Sequence, residues 1–409
     1  MHWRDRLNGM QLHHPGAEAW LDVLLPMAVL AVGVQRGADP PALVLTLSLW
    51  LLLKVLLRAV AHPIFWVLFG VVLACQATWL QQHAAVSSPT DLLLFLAAFA
   101  VGMGRSRSQW RVSLWMLSAM VLASLFAYQL RPDANGNLAM IPWGMLPVGL
   151  VDQVGRIGGI AVNRSAYLFD LMALSAWSLY RFAPRNGWRR LAAAMAALAY
   201  ALAFMTGSRA GAGLPLLLVL LLEICWRCRV RWSAMAMPMA LAITLLLGGL
   251  STLFYLPGSP LAYRTINDAG RADVAHCFLH QSLQSPEIFW FGSGGDRVSQ
   301  ICKRATQNPR VVPSGLRHAH NTFIQVLADH GAVALMALLA LLVLSLRQAL
   351  SLMASGDGEL GAFALAAVLL FVAFSLVESV LLHVSLVQVL AGYTLAAAWP
   401  KGASGAIRP

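Results

Sequence analysis

His320 stands in the string Arg317-His318-Ala319-His320-Asn321, where a polar loop gives way to an apolar run. An imidazole is the side chain best suited to take a proton near neutral pH, so His320 is the first candidate for a general base. The start of a helix also leaves backbone N–H groups unpaired, and such a terminus attracts phosphate. The competing reading is that His320 and Asn321 cap the helix and sit among lipid headgroups. His318, two residues away, projects differently and ranks behind it.

Arg209 is the second candidate. It ends an apolar segment in Thr206-Gly207-Ser208-Arg209-Ala210-Gly211. A planar guanidinium matches a diphosphate with paired hydrogen bonds, and Gly207, Gly211 and Gly213 would let a ligand approach the backbone closely. Snorkelling of a lone arginine to the interface is the alternative. Arg264 and Arg271 lie in the polar loop with only Asp268 and Asp273 nearby to neutralise them, and Arg317 adds a further cation beside the histidines. Arg164 is intramembrane by position, six residues before Asp170, and is read as a ligand or half of a buried pair. Ionisable groups are costly in hydrocarbon, so their placement at helix ends beside one loop points to a reaction site.

The elements that must position these residues are membrane helices. Hydrophobic residues make up 59% of the 409-residue chain and charged residues 11%, with a mean hydropathy of +0.69. A soluble domain carries about 25% charged residues, which excludes a soluble fold. Continuous Leu/Ala/Val runs of spanning length recur, whereas a barrel needs alternating stretches of about ten residues. About 12 spans are expected, centred near residues 27, 48, 71, 97, 121, 170, 198, 217, 245, 334, 369 and 389. The fold class is therefore an all-α polytopic membrane protein. It forms one transmembrane domain over 1–409, with a large loop, 257–319, between the ninth and tenth helices. Short helices are expected inside that loop, Ala269–Gln284 among them. A smaller excursion spans Arg131 to Gly159.

The net charge of +12 is mostly an orientation signal rather than a nucleic-acid footprint. Arg105, Arg107 and Arg111; Arg181, Arg185, Arg189 and Arg190; and Arg227, Arg229 and Arg231 each fill a short connection between apolar runs. That is the positive-inside pattern. It places both termini in the cytoplasm, and the 257–319 loop, Arg209, the Arg131–Arg156 stretch and Glu378 on the far side, the periplasm of a bacterial inner membrane. Long translocated loops are largely exempt from the rule, so the loop's own basic residues call for an anionic substrate. Cys277 and Cys302 both fall in this loop, where an oxidising compartment permits a disulfide. Cys225-Trp-Arg-Cys228 has redox or metal spacing but no second pair and no histidines. No Walker A motif, dinucleotide fingerprint, HExxH or carboxylate cluster is present, so neither a metal nor a cofactor is expected.

His320-Asn321, followed after nine residues by Gly331, resembles the signature of O-antigen ligases, with Ala334 where that family usually has Gly, Thr or Tyr. Ser208-Arg209-Ala210-Gly211 is similar to the serine-arginine turn of the wider ligase and polymerase superfamily. Gly270-Arg271, followed by Pro286 and Phe291-Gly292-Ser293-Gly294, is similar to its periplasmic-loop pattern, with His276 where an aromatic often stands. In motif terms the resemblance covers roughly residues 190–345.

It implies a GT-C-type glycosyltransferase that moves O-antigen from undecaprenyl diphosphate onto lipid A–core oligosaccharide at the periplasmic face, among membrane lipids, without metal or nucleotide. Arg209 and Arg271, helped by Arg264 and Arg164, would hold the diphosphate. His320 would activate the acceptor hydroxyl, with His318, Arg317 and Asn321 lining the substrate. An O-antigen polymerase, a protein O-oligosaccharyltransferase and a lipid-linked glycan transporter remain as alternatives.

Overall fold

Residues 358–377 are apolar on every side, as a helix enclosed by others must be. The helix they form lies at the centre of the bundle, with Phe363, Phe371 and Phe374 fully buried. The computed structural model describes residues 90–132, 138–142, 162–183, 186–206, 208–227, 269–294, 297–305, 318–355, 357–381 and 385–400. The spans expected near 27, 48, 71 and 245 lie outside the described residues, as do Arg264 and Arg317.

In chain order the described elements are α1 (Thr90–Gly102), α2 (Arg107–Ala127), β1 (Tyr128–Pro132), β2 (Leu138–Pro142), α3 (Val162–Phe182), α4 (Asn186–Met205) and α5 (Arg209–Arg227). Three short helices follow, α6 (Ala269–Ser282), α7 (Pro286–Phe291) and α8 (Arg297–Ala305). The chain then forms α9 (Thr322–Ala354), α10 (Gly358–Val377), α11 (Ser385–Leu395) and a closing 3₁₀ turn, Ala396–Ala398. The long helices coincide with expected spans. Among the described residues the one departure from an all-helical fold is the antiparallel pair β1–β2, registered Tyr128 to Pro142, which begins just before the smaller excursion and runs into it. Leaving a helix frees backbone donors and acceptors, and a hairpin pairs them again.

Two described helices, α9 and α10, are long and apolar enough to cross a membrane. The outer surfaces agree. On α5, Leu216, Leu217, Leu220 and Ile224 are each about half exposed or more, and on α9 Met336, Leu339 and Val343 form a second outward stripe. Large apolar stripes of this kind on a folded chain mark a surface that meets lipid or a partner.

Close helix contacts rest on small residues, as is usual in membrane bundles. A Cβ at Gly392 of α11 would collide with the Phe95 carbonyl of α1, one at Gly102 of α1 with Ala396, and one at Gly211 of α5 with Ala166 of α3. Gly211, expected to open the backbone to a ligand, thus has a packing use that brings the start of α5 against α3. Ser118 and Ser175 add a hydroxyl pair at 2.9 Å between α2 and α3.

The bundle has two chemically different ends. At one, Arg107 pairs with Asp357 at 2.6 Å and Arg111 grips both oxygens of Glu359, while the Ser178 hydroxyl donates to the Glu359 carbonyl. Arg181 pairs with Glu223 at the same end. At the other end α3 and α5 begin, α4 and α10 finish, and the segment before α9 folds in. Of the basic clusters singled out in the sequence, the described residues Arg105, Arg107, Arg111, Arg181, Arg189 and Arg190 gather at the first end, and the candidate histidines at the second.

Candidate functional site

Asn321 starts α9. Its backbone is extended and its side-chain oxygen accepts hydrogen bonds from the N–H groups of Phe323 and Ile324, as an N-cap residue does. Its side-chain nitrogen donates to the Leu376 carbonyl at the end of α10, so the cap also fastens α9 to α10. Thr322 repeats the fastening: its hydroxyl donates to the Glu378 carbonyl and accepts from the Val380 N–H. His320, just before the cap, has φ +51°, the left-handed conformation that is uncommon outside glycine. That turn folds the imidazole inward, and the residue is only 6% exposed.

Glu378, just past the end of α10, is the residue that His320 meets. It is 3% exposed. His318 Nε2 lies 3.0 Å from its Oε1, and the Ser379 N–H donates to the same oxygen at 3.1 Å. His320 Nδ1 lies 3.6 Å from Oε1, longer than a hydrogen bond, so its pull is electrostatic. The two imidazoles lie against each other, tilted by 41°, with centroids 4.0 Å apart. The other carboxylate oxygen, Oε2, accepts from Asn163 Nδ2 at 2.8 Å, and Asn163 Oδ1 accepts from the Ser208 hydroxyl at 2.9 Å. Ser208 in turn caps the first turn of α5, accepting from the Gly211 N–H.

The electrostatics follow from this geometry. Burial alone would raise the Glu378 carboxyl. The hydrogen bond from His318, the approach of His320 and the charge of Arg164 outweigh it and hold the group well below the usual carboxylate range. Burial pushes the His318 imidazole down from its ordinary value. The neighbouring His320 and Arg164 push the same way, against the hydrogen bond to Glu378. At neutral pH the site therefore holds an ionised carboxylate beside a neutral His318.

His318, His320 and Glu378 each offer a ligand atom within 4.8 Å of the others, a spacing that could hold a metal ion. Both carboxylate oxygens already accept from protein donors, however, and His318 spends its near nitrogen on one of them. Of the two imidazoles only His318 is hydrogen-bonded to the carboxylate, and His320 lies close beside it.

The structure brings His318, His320 and Asn321 together, with Arg164 on the first turn of α3 acting on the same carboxylate. Asp170, six residues after Arg164, sits deeper in the bundle, fully buried. Arg209 is the first residue of α5, directly after Ser208, and Arg271 lies in the first turn of α6; their side chains lie outside the described part. Sequence reasoning placed Glu378 on the same side as the histidines without giving it a role, and it passed over Asn163. The only signal for either was a polar residue at the end of an apolar run.

The polar loop is tied to this site by glycines. Gly331 breaks α9 with φ +82° and ψ 176°. A Cβ there would strike the backbone of Trp290 and Phe291, and a Cβ on Gly292 would strike that of Asp329 and His330. The freed carbonyls of Ala328 and Asp329 accept instead from the N–H groups of Ser293 and Gly294. A disulfide between Cys277 and Cys302 joins α6 to α8 beneath a small core of Val274, Phe278, Val298, Ala319 and Ala328. The disulfide permitted by the sequence is thus formed.

Residues 193–339 match the family model described as O-Antigen ligase. No curated protein matches the chain.

Proposed function

We propose that the protein is an O-antigen ligase, a reading supported by the match of residues 193–339 to the O-Antigen ligase family model. It transfers O-antigen polysaccharide from undecaprenyl diphosphate to lipid A–core oligosaccharide, as an inverting, metal-independent enzyme. In this reading it is a GT-C-type protein of about 12 spans in a bacterial inner membrane, with both termini cytoplasmic. The end of the bundle that carries His320 faces the periplasm.

The observation that carries the proposal is the juxtaposition of His320 with an ionised, buried Glu378 beside the turn that begins α5 with Arg209. Glu378 favours the imidazole tautomer protonated at Nδ1, which leaves Nε2 with a free lone pair for the acceptor hydroxyl. As that hydroxyl attacks the anomeric carbon, the Nε2 lone pair takes its proton and the carboxylate stabilises the resulting imidazolium. The bond to the lipid diphosphate breaks in the same displacement. Arg209 and Arg271, with Arg264 and Arg164, bind the diphosphate and stabilise the charge that develops on it. His318, Arg317 and Asn321 line the approach of the sugars.

The test is transfer by variants made in the full chain. His320→Ala and Arg271→Ala are expected to abolish transfer while expression and membrane insertion stay intact. Near-normal transfer by either variant would remove that residue's assigned role.

A further inference from the structure

Three donors in sequence point one way through the site. The Gly211 N–H donates to Ser208 Oγ at 3.2 Å, the Ser208 hydroxyl donates to Asn163 Oδ1 at 2.9 Å, and Asn163 Nδ2 donates to Glu378 Oε2 at 2.8 Å. The orientation of the Asn163 amide is forced. Glu378, ionised, can only accept, so the nitrogen must face it. Ser208 already accepts from Gly211, so its proton must go to the amide oxygen. Chains polarised in one direction reinforce each link. Ser208 is 3% exposed and Glu378 3% exposed.

The two ends of the chain are chemically unlike. One end is the first turn of α5, which Arg209 begins. The other is the carboxylate shared by His318 and His320. Asn163 is the only described residue hydrogen-bonded to both Ser208 and Glu378, and it lies outside the matched family segment, on the first turn of α3. Its short amide spans the gap with a donor on one side and an acceptor on the other. Aspartate has the same length but would set a second carboxylate against Glu378, and alanine would leave both neighbours without this partner.

We infer that Asn163 is a positioning residue, coupling the Arg209 turn to the carboxylate that orients the His320 imidazole. The inference rests on the proposed role of His320 and extends it. Occupation of the α5 start by an anionic group shifts Ser208, and the shift reaches the base through Asn163 and Glu378. The charged groups that act on Glu378 among the described residues are His318, His320 and Arg164.

The test uses the purified full chain in detergent and needs no turnover for its first arm. Histidine resonances of ¹³C-labelled protein are titrated with pH, the two site signals being assigned with His318→Gln and His320→Gln variants. In Asn163→Ala the titration of His318 and His320 is expected to move from that of the parent chain, and inorganic pyrophosphate, which perturbs both signals in the parent, no longer does so. Ser208→Ala removes both hydrogen bonds of the Ser208 hydroxyl and keeps the one from Asn163 to Glu378; it leaves the titration near the parent's but abolishes the pyrophosphate response. This second variant keeps the inference open to refutation where Asn163→Ala fails to fold.

In the second arm, donor turnover by Asn163→Ala falls on the order of 100-fold, the cost of a misplaced reacting group, and Asn163→Ala combined with Ser208→Ala falls no further. Histidine titrations and a pyrophosphate response unchanged in both variants would overturn the inference, as would turnover effects that simply multiply. If the titration arm behaves as expected while the parent chain transfers no glycan, the relay stands and the proposed reaction falls.

Discussion

Gly292 and Gly331 meet backbone to backbone, each in a conformation essentially restricted to glycine: φ +80° and ψ 171° at Gly292, φ +82° and ψ 176° at Gly331. One lies at the end of a loop helix and the other in the break of α9. Together they let the loop donate two N–H groups to the carbonyls that the break exposes. Gly331, separated from His320-Asn321 by nine residues, thus fixes the loop against α9.

Alanine at either glycine is expected to destabilise the protein by about 1–3 kcal/mol for the backbone conformation alone, and by more because its Cβ meets backbone atoms. Thermal unfolding in detergent checks this. A melting temperature within a degree of the parent's for both variants would contradict the packing described.

Glu378→Gln keeps the shape of the side chain and removes its charge. Turnover is expected to fall on the order of 100-fold or more, the usual range for losing general base assistance. Glu378→Asp should recover part of it. Steady-state kinetics across pH separate the two variants, and Glu378→Gln turning over like the parent would remove the carboxylate from the account.

Reduction of Cys277–Cys302, or its replacement by serines, frees α6 from α8. For a closed segment of 25 residues the expected loss is about 3.5 kcal/mol. Alkylation of the non-reduced protein should label neither cysteine. Labelling of both would show the bridge absent in the isolated protein.

Stability should fall in two stages as the pH is lowered. His318 has a folded value below its ordinary 6.5, so its contribution is present above 6.5 and is lost as the pH falls from there to the folded value. Glu378 has a folded value well below 4.5, so its contribution is present above 4.5 and is lost below it. Melting temperatures measured between pH 8 and pH 3, roughly the span of these ordinary values, check the sign. A rise on acidification would contradict it.

Much of this was legible in the sequence because membrane helices announce themselves locally. The continuous apolar runs at α9 and α10, the helix beginning at Ala269 and the cap at Asn321 all follow from residues adjacent in the chain. The disulfide was legible as two cysteines sharing one loop. The carboxylate was not: Asn163 and Glu378 are 215 positions apart, and only the packing of α3 against α10 brings them together. Nor was the inward turn of His320, because a left-handed residue other than glycine leaves no mark in composition. Gly211 shows the opposite error, since a glycine beside an arginine reads as room for a ligand while its contact is with Ala166.

The most direct test of the central claim is a reconstituted assay containing the purified protein, undecaprenyl-diphosphate-linked glycan, lipid A–core and EDTA. The account predicts that lipid A–core shifts upward as a ladder and that the chelator leaves this unchanged. Lipid A–core that stays unmodified while the donor glycan lengthens would show a polymerase and contradict the assignment. No bond formation with either acceptor, while lipid-linked glycan is bound, would contradict an enzyme altogether.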